Sequence, residues 1–216
     1  MKNTKQKPLQ TLGEEISNSV SHGVGSILSI LGTVILILLG VKEKSLAAII
    51  CGAFYGGSLI ILYTVSCLYH SLKCNMAKRV FRILDHCSIF LLISGTYTPI
   101  CILMIGGKTG YSLITVNLTC AIIGIILNAV NMKKWEKLSL ILYVIMGWMC
   151  LFTIKPLIAA APTDVLLLLV AGGVAYTLGI IFYKLKIKYM HFIWHIFVLL
   201  GSILHYLFIL YGCYIK

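Results

Sequence analysis

Residues 46–70 read LAAIICGAFYGGSLIILYTVSCLYH, twenty-five positions without one Asp, Glu, Lys or Arg. A helix that crosses a bilayer needs roughly 20 mostly apolar residues. The stretch meets that length and then ends on polar residues, Ser66 and His70. Working outward, comparable runs lie near 19–41, 88–106, 111–131, 138–155, 165–183 and 190–214, making seven with the first. The expectation is an all-α polytopic membrane protein of seven transmembrane helices, with 1–216 forming one domain. The intervening loops are too short to hold a separate soluble unit.

Composition agrees. Of 216 residues, 60% are hydrophobic and 11% charged, with mean hydropathy +1.00. A soluble domain carries about 25% charged residues, and disorder requires low hydrophobicity. Both classes are excluded. The net charge of +12 does not indicate nucleic acid as a partner, because the bases are scattered among loops with no basic helix or aromatic-interleaved patch. Membrane lipids are the expected partners.

The bases report orientation instead, since cytoplasmic loops are enriched in Lys and Arg. Alternate segments carry Lys2, Lys5 and Lys7, then Lys73, Lys78, Arg79 and Arg82, then Lys133, Lys134 and Lys137, then Lys184, Lys186 and Lys188. The opposite set has Lys42, Lys44, Lys108, Lys155 and Lys216. Thirteen against five places the N-terminus inside and, with seven spans, the C-terminus outside. The first apolar run is too long for a signal-peptide core and is expected to remain as the first span. The eight cysteines contain no CxxC pair and read as small packing residues. Glycines such as Gly52, Gly56 and Gly57 permit close helix approach. Pro99 is expected to kink the third span.

Ionisable residues within membrane segments are costly, so they point to function. Ser66 and His70 are four apart and share a helix face. Asp85 and His86 begin the third span. His191 and His195, again four apart, begin the seventh. Asn18 and His22 repeat that spacing at the start of the first. The topology carries all of these to the inner boundary; His205 lies about 15 Å deeper by helical rise. Two histidines one turn apart plus a third from another helix can hold a metal ion. Zn²⁺ takes three protein nitrogens and a water in catalytic sites, and a nearby carboxylate can take the water's proton. Asp85 is the best-placed acid, because Glu14, Glu15 and Glu136 read as lying outside the spans. Histidines at a boundary also serve simply to bond loop backbone or headgroups, and spacing alone leaves that alternative open.

Three segments together resemble the hemolysin III family of bacterial membrane proteins, related to adiponectin and progestin receptors and to alkaline ceramidases. They are Glu14–Gly23 with Asn18 and His22; Ser66–His70 followed by Leu84-Asp85-His86 and Phe90–Pro99; and His191–His195 followed by Gly201–His205. The resemblance implies seven helices with the N-terminus inside and a zinc ion near the inner boundary. It implies His70, His191 and His195 as ligands, Asp85 holding the water, and Ser66 in support. It assigns no clear role to Asn18 and His22. The functions to weigh are a zinc-dependent hydrolase of membrane lipid amides, a cytolytic or pore-forming protein, and a membrane-homeostasis sensor with structural zinc. A multi-pass protein of the plasma membrane fits each.

Overall fold

The computed structural model describes residues 10–215. Among them there is helix and no strand: α1 (Leu12–Lys42), α2 (Leu46–Ser71), α3 (Met76–Pro99), α4 (Gly107–Gly147), α5 (Ile154–Ala160), α6 (Thr163–Lys184) and α7 (Met190–Ile209). Six helical runs among the described residues are long and apolar enough to cross a membrane. Lys2, Lys5, Lys7 and Lys216, four of the bases in the orientation tally, lie outside the described residues.

The fourth run extends from Gly107 to Ala160, 54 residues. Straight, it would reach about 80 Å at 1.5 Å per residue, against a hydrocarbon thickness of about 30 Å. It is not straight. Asn131 has non-helical backbone angles (φ −159°, ψ 80°), and its side chain caps the next turn through Lys134 N at 3.1 Å. The two arms turn back on each other. Ser139 Oγ donates to Asn128 Oδ1 at 2.7 Å, and Asn117 Nδ2 reaches Met149 Sδ at 3.7 Å. Both asparagines are fully buried. A buried amide without partners is costly, so these bonds fix where the arms meet.

Other starts are set by caps. Thr11 and Glu14 form a reciprocal capping box, which starts α1 seven residues before the apolar run. Asn75 caps α3, making the basic tract before Asp85 helical. Pro99 does not stop its helix. The backbone passes into a π-helical segment, Ile100–Ile105, where wider turns accommodate the missing proline N–H.

Helices α1 and α2 pack closely through small residues. A Cβ built on Gly56 would overlap the Thr33 side chain, whereas one on Gly57 would meet nothing within 4 Å. Gly56→Leu is therefore expected to destabilise the bundle by about 1–3 kcal/mol, as overpacking does. Gly57→Ala should leave the melting temperature in detergent close to that of wild type. Equal melting of Gly56→Leu and wild type would show the contact to be loose.

The last helix returns to the first two. Tyr63 OH donates to Ser202 Oγ at 2.7 Å, Tyr206 OH to the Gly32 carbonyl at 3.0 Å, and Tyr214 OH to the Ala48 carbonyl at 2.7 Å. Helix α3 is bonded to both arms of α4, through Ser94 to Asn117 and through Tyr143 OH to the His86 carbonyl. Apolar side chains are abundant on the outer surface, among them Leu31, Ile126, Phe152 and Leu167, as lipid contact requires.

Candidate metal centre

The start of α1, the end of α2 and the start of α7 meet at one level. His70 closes α2; His191 and His195 stand one turn apart on α7. The three offer ring nitrogens that all lie within 4.8 Å of one another. The ring centroids are 4.8–5.2 Å apart. His70 and His195 are buried, at 3% and 0% exposure, and His191 is half-buried.

The hydrogen bonding is one-sided. His70 Nδ1 lies 2.7 Å from Glu15 Oε2. His195 Nδ1 lies 3.3 Å from the Asn18 carbonyl and 3.4 Å from Ser21 Oγ. The Nε2 atoms of His70, His191 and His195 are buried and have no hydrogen-bond partner. Buried polar atoms are ordinarily satisfied. Three unsatisfied imidazole nitrogens in one small volume fit a cation, and the donor set suits zinc among the common metals.

Of the other expected residues, Asp85 is 6% exposed and Ser66 1%. They are neighbours, and the buried Ser66 hydroxyl makes no hydrogen bond of ordinary geometry. Asp85 also lies in the field of His70, and its Oδ2 is 4.0 Å from His86 Nδ1. His86 itself bonds the Arg82 carbonyl at 2.9 Å. His22 stacks flat on His195, with centroids 3.6 Å apart and 10° between planes, and both its nitrogens are buried without partners. His205 stands apart, with Nε2 3.1 Å from the Leu169 carbonyl.

Sequence reasoning passed over Glu15. Read only as lying outside the spans, it sits in the first turn of α1 and spans two partners, His70 and Lys78, the latter at 2.8 Å. The available signal was the capping pattern Thr11-x-x-Glu14, which starts the helix early enough to bring Glu15 to His70.

From His22 and Asp85 a cavity of about 150 Å³ follows α3 as far as Tyr97, between that helix, the second arm of α4, α6 and α7. Twelve helical positions make this about 18 Å long. Ile89, Ile93, Val144 and Ile180 line its length, with Tyr176 and His205 deeper in. On the outer side, Trp148 Nε1 donates to Thr177 Oγ1 at 3.1 Å and Tyr183 OH to Glu136 Oε1 at 3.4 Å.

The family model described as "Haemolysin-III related" matches residues 10–206. The chain belongs to the haemolysin-III family. Within this family it is 41% identical to "Hemolysin-3" of Bacillus cereus over 194 residues, covering 89% of each chain. It is 37% identical to the "Hemolysin-3 homolog" of Bacillus subtilis (strain 168) over 204 residues, 94% of this chain and 96% of the relative. "Monocyte to macrophage differentiation factor" of Homo sapiens is 28% identical over 215 residues, 94% of this chain and 85% of the relative. The haemolysin-III match covers α1 through most of α7, and so includes all three histidines.

Proposed function

We propose that this chain is a zinc-dependent hydrolase of membrane lipid amides, built as one seven-helix domain over 1–216 in the plasma membrane with its N-terminus inside. The bend at Asn131 supports seven crossings, because it divides the longest run into two membrane-length arms. The loop charges support the orientation.

The observation that carries the reading is the group of three buried Nε2 atoms without hydrogen-bond partners. His70, His191 and His195 would hold the zinc, leaving a fourth position for solvent or substrate. A zinc ion there supplies Lewis-acid polarisation of a carbonyl and brings the acidity of water near neutrality. Asp85 accepts the proton of the attacking water and returns it to the leaving nitrogen as the C–N bond breaks. Ser66, buried beside Asp85, would support that carboxyl. The cavity beginning at Asp85 is apolar along most of its length, which suits the hydrocarbon tail of an N-acyl lipid.

A panel of ceramides and other N-acyl lipids in detergent tests this. Wild type is expected to release fatty acid at least about tenfold faster than His191→Ala. Turnover no greater than in that variant across the panel would overturn the hydrolase. The name of the Bacillus cereus relative, "Hemolysin-3", favours a second reading, cytolysis. Lysis of red cells by purified protein beyond a detergent control would support it. A third, a homeostasis sensor with structural zinc, would follow from a metal whose four positions are all held by protein.

A further inference from the structure

We infer that the first turns of α1 set the tautomer of the metal-binding histidines, with Glu15 as the positioning carboxylate of His70. The inference rests on the metal reading above and gives a role to the Glu15-Ile-Ser-Asn18 segment, which that reading leaves idle.

A neutral imidazole has one N–H and one lone pair, and a ligand nitrogen must present the lone pair. Which nitrogen does so is decided by the partner of the other. His70 Nδ1 has two neighbours. Glu15 Oε2 lies at 2.7 Å and Asn18 Nδ2 at 3.5 Å. An ionised carboxylate only accepts, while an amide nitrogen only donates, so the two demand opposite tautomers. The carboxylate bond is short and charge-assisted. The Asn18 amide has a better acceptor in Gln10 Oε1 at 2.8 Å. Glu15 therefore prevails, the proton sits on Nδ1, and the Nε2 lone pair of His70 faces His191 and His195.

Helix α1 treats His195 the same way. The Asn18 backbone carbonyl, again only an acceptor, lies 3.3 Å from His195 Nδ1. The flat stack of His22 on His195 fixes the plane of that ring. One helix end thus orients two ligands from two other helices.

Glu15 is itself supported. Lys78 Nζ bonds Glu15 Oε1 at 2.8 Å and the Leu72 carbonyl at 3.1 Å. These bonds occupy the other carboxylate oxygen and leave Oε2 to His70. The carboxylate, imidazole and open nitrogen form the outer-shell arrangement that raises ligand basicity and fixes ring orientation at metal sites.

The test is metal affinity, read by competition of Zn²⁺ with a chromophoric chelator and by the visible spectrum of Co²⁺ in the purified full-length protein. Glu15→Gln keeps the size of the side chain but offers the amide's donor as well as an acceptor. It is expected to lower Zn²⁺ affinity 10–100-fold and to alter the Co²⁺ bands, and Glu15→Asp should recover part of the loss. Lys78→Met removes the other half of the Glu15 ion pair without touching His70, and should shift affinity less than about threefold while lowering the melting temperature. Unchanged affinity in Glu15→Gln, or an equal loss in Lys78→Met, would overturn the inference while leaving the metal site intact. A wild-type chain that takes up neither ion would overturn the metal reading itself.

Discussion

Purified wild-type protein is expected to carry about one zinc per chain, and the His191→Ala/His195→Ala variant to carry none above background. The expected effect is near-total because two of three ligands go at once, leaving His70 alone. Loss of metal through misfolding is separable from loss of ligands. Helix α7 and the π-helical segment that continues it, Leu210–Tyr214, keep three bonds to α1 and α2 in the variant, through Ser202, Tyr206 and Tyr214. Helical content and elution as a single species should therefore persist. Elemental analysis of both proteins, grown and purified with zinc supplied, decides the matter. Equal metal in the two would remove His191 and His195 from the site. No metal in either would leave the unpaired nitrogens to be satisfied by water.

Asp85→Asn is expected to retain zinc yet lose lipid amide turnover by about 10²–10⁴-fold, the usual worth of a positioned general base. Asparagine matches aspartate in shape, so the packing beside Ser66 survives. It cannot take a proton from water at neutral pH. The buried setting sharpens the contrast, because little bulk water is at hand to replace the lost base. Turnover and metal content measured on one preparation separate the two roles. Wild-type turnover in Asp85→Asn would dismiss Asp85 as the base. Loss of zinc together with activity would make it a ligand or a structural anchor instead.

Much of this architecture is legible from hydrophobicity alone. The stretches 46–70 and 190–214 coincide almost residue for residue with α2 and with α7 plus its π-helical end. Long uninterrupted apolar runs leave little choice. Boundaries fail where polar residues begin a helix, as at Thr11 and Asn75, because a cap is a hydrogen-bonding event that hydropathy does not register. The arms of α4 separate near the expected gap, but the sequence does not disclose that Asn131 alone makes the bend. Spacing within a helix foretold that His191 and His195 share a face. It could not bring His70 to them, since that depends on which helices touch. Glu15 was hidden for a related reason. Its charge argued for water, and only its two partners, residues distant in sequence, make its place tolerable.

The polar bonds between α7 and the first two helices also bear on how the protein is made. Synthesis delivers α1 and α2 long before α7. Until then, the Tyr63 hydroxyl lacks Ser202 and the carbonyls of Gly32 and Ala48 lack their tyrosine donors. The early helices can insert one by one, since each satisfies its own backbone. The bundle is completed only when the final segment docks. A chain stopped before residue 189 would thus sit in the membrane as inserted helices with the Tyr63 hydroxyl unmet. The last helix to emerge is thus the one that closes the polar contacts of the first two.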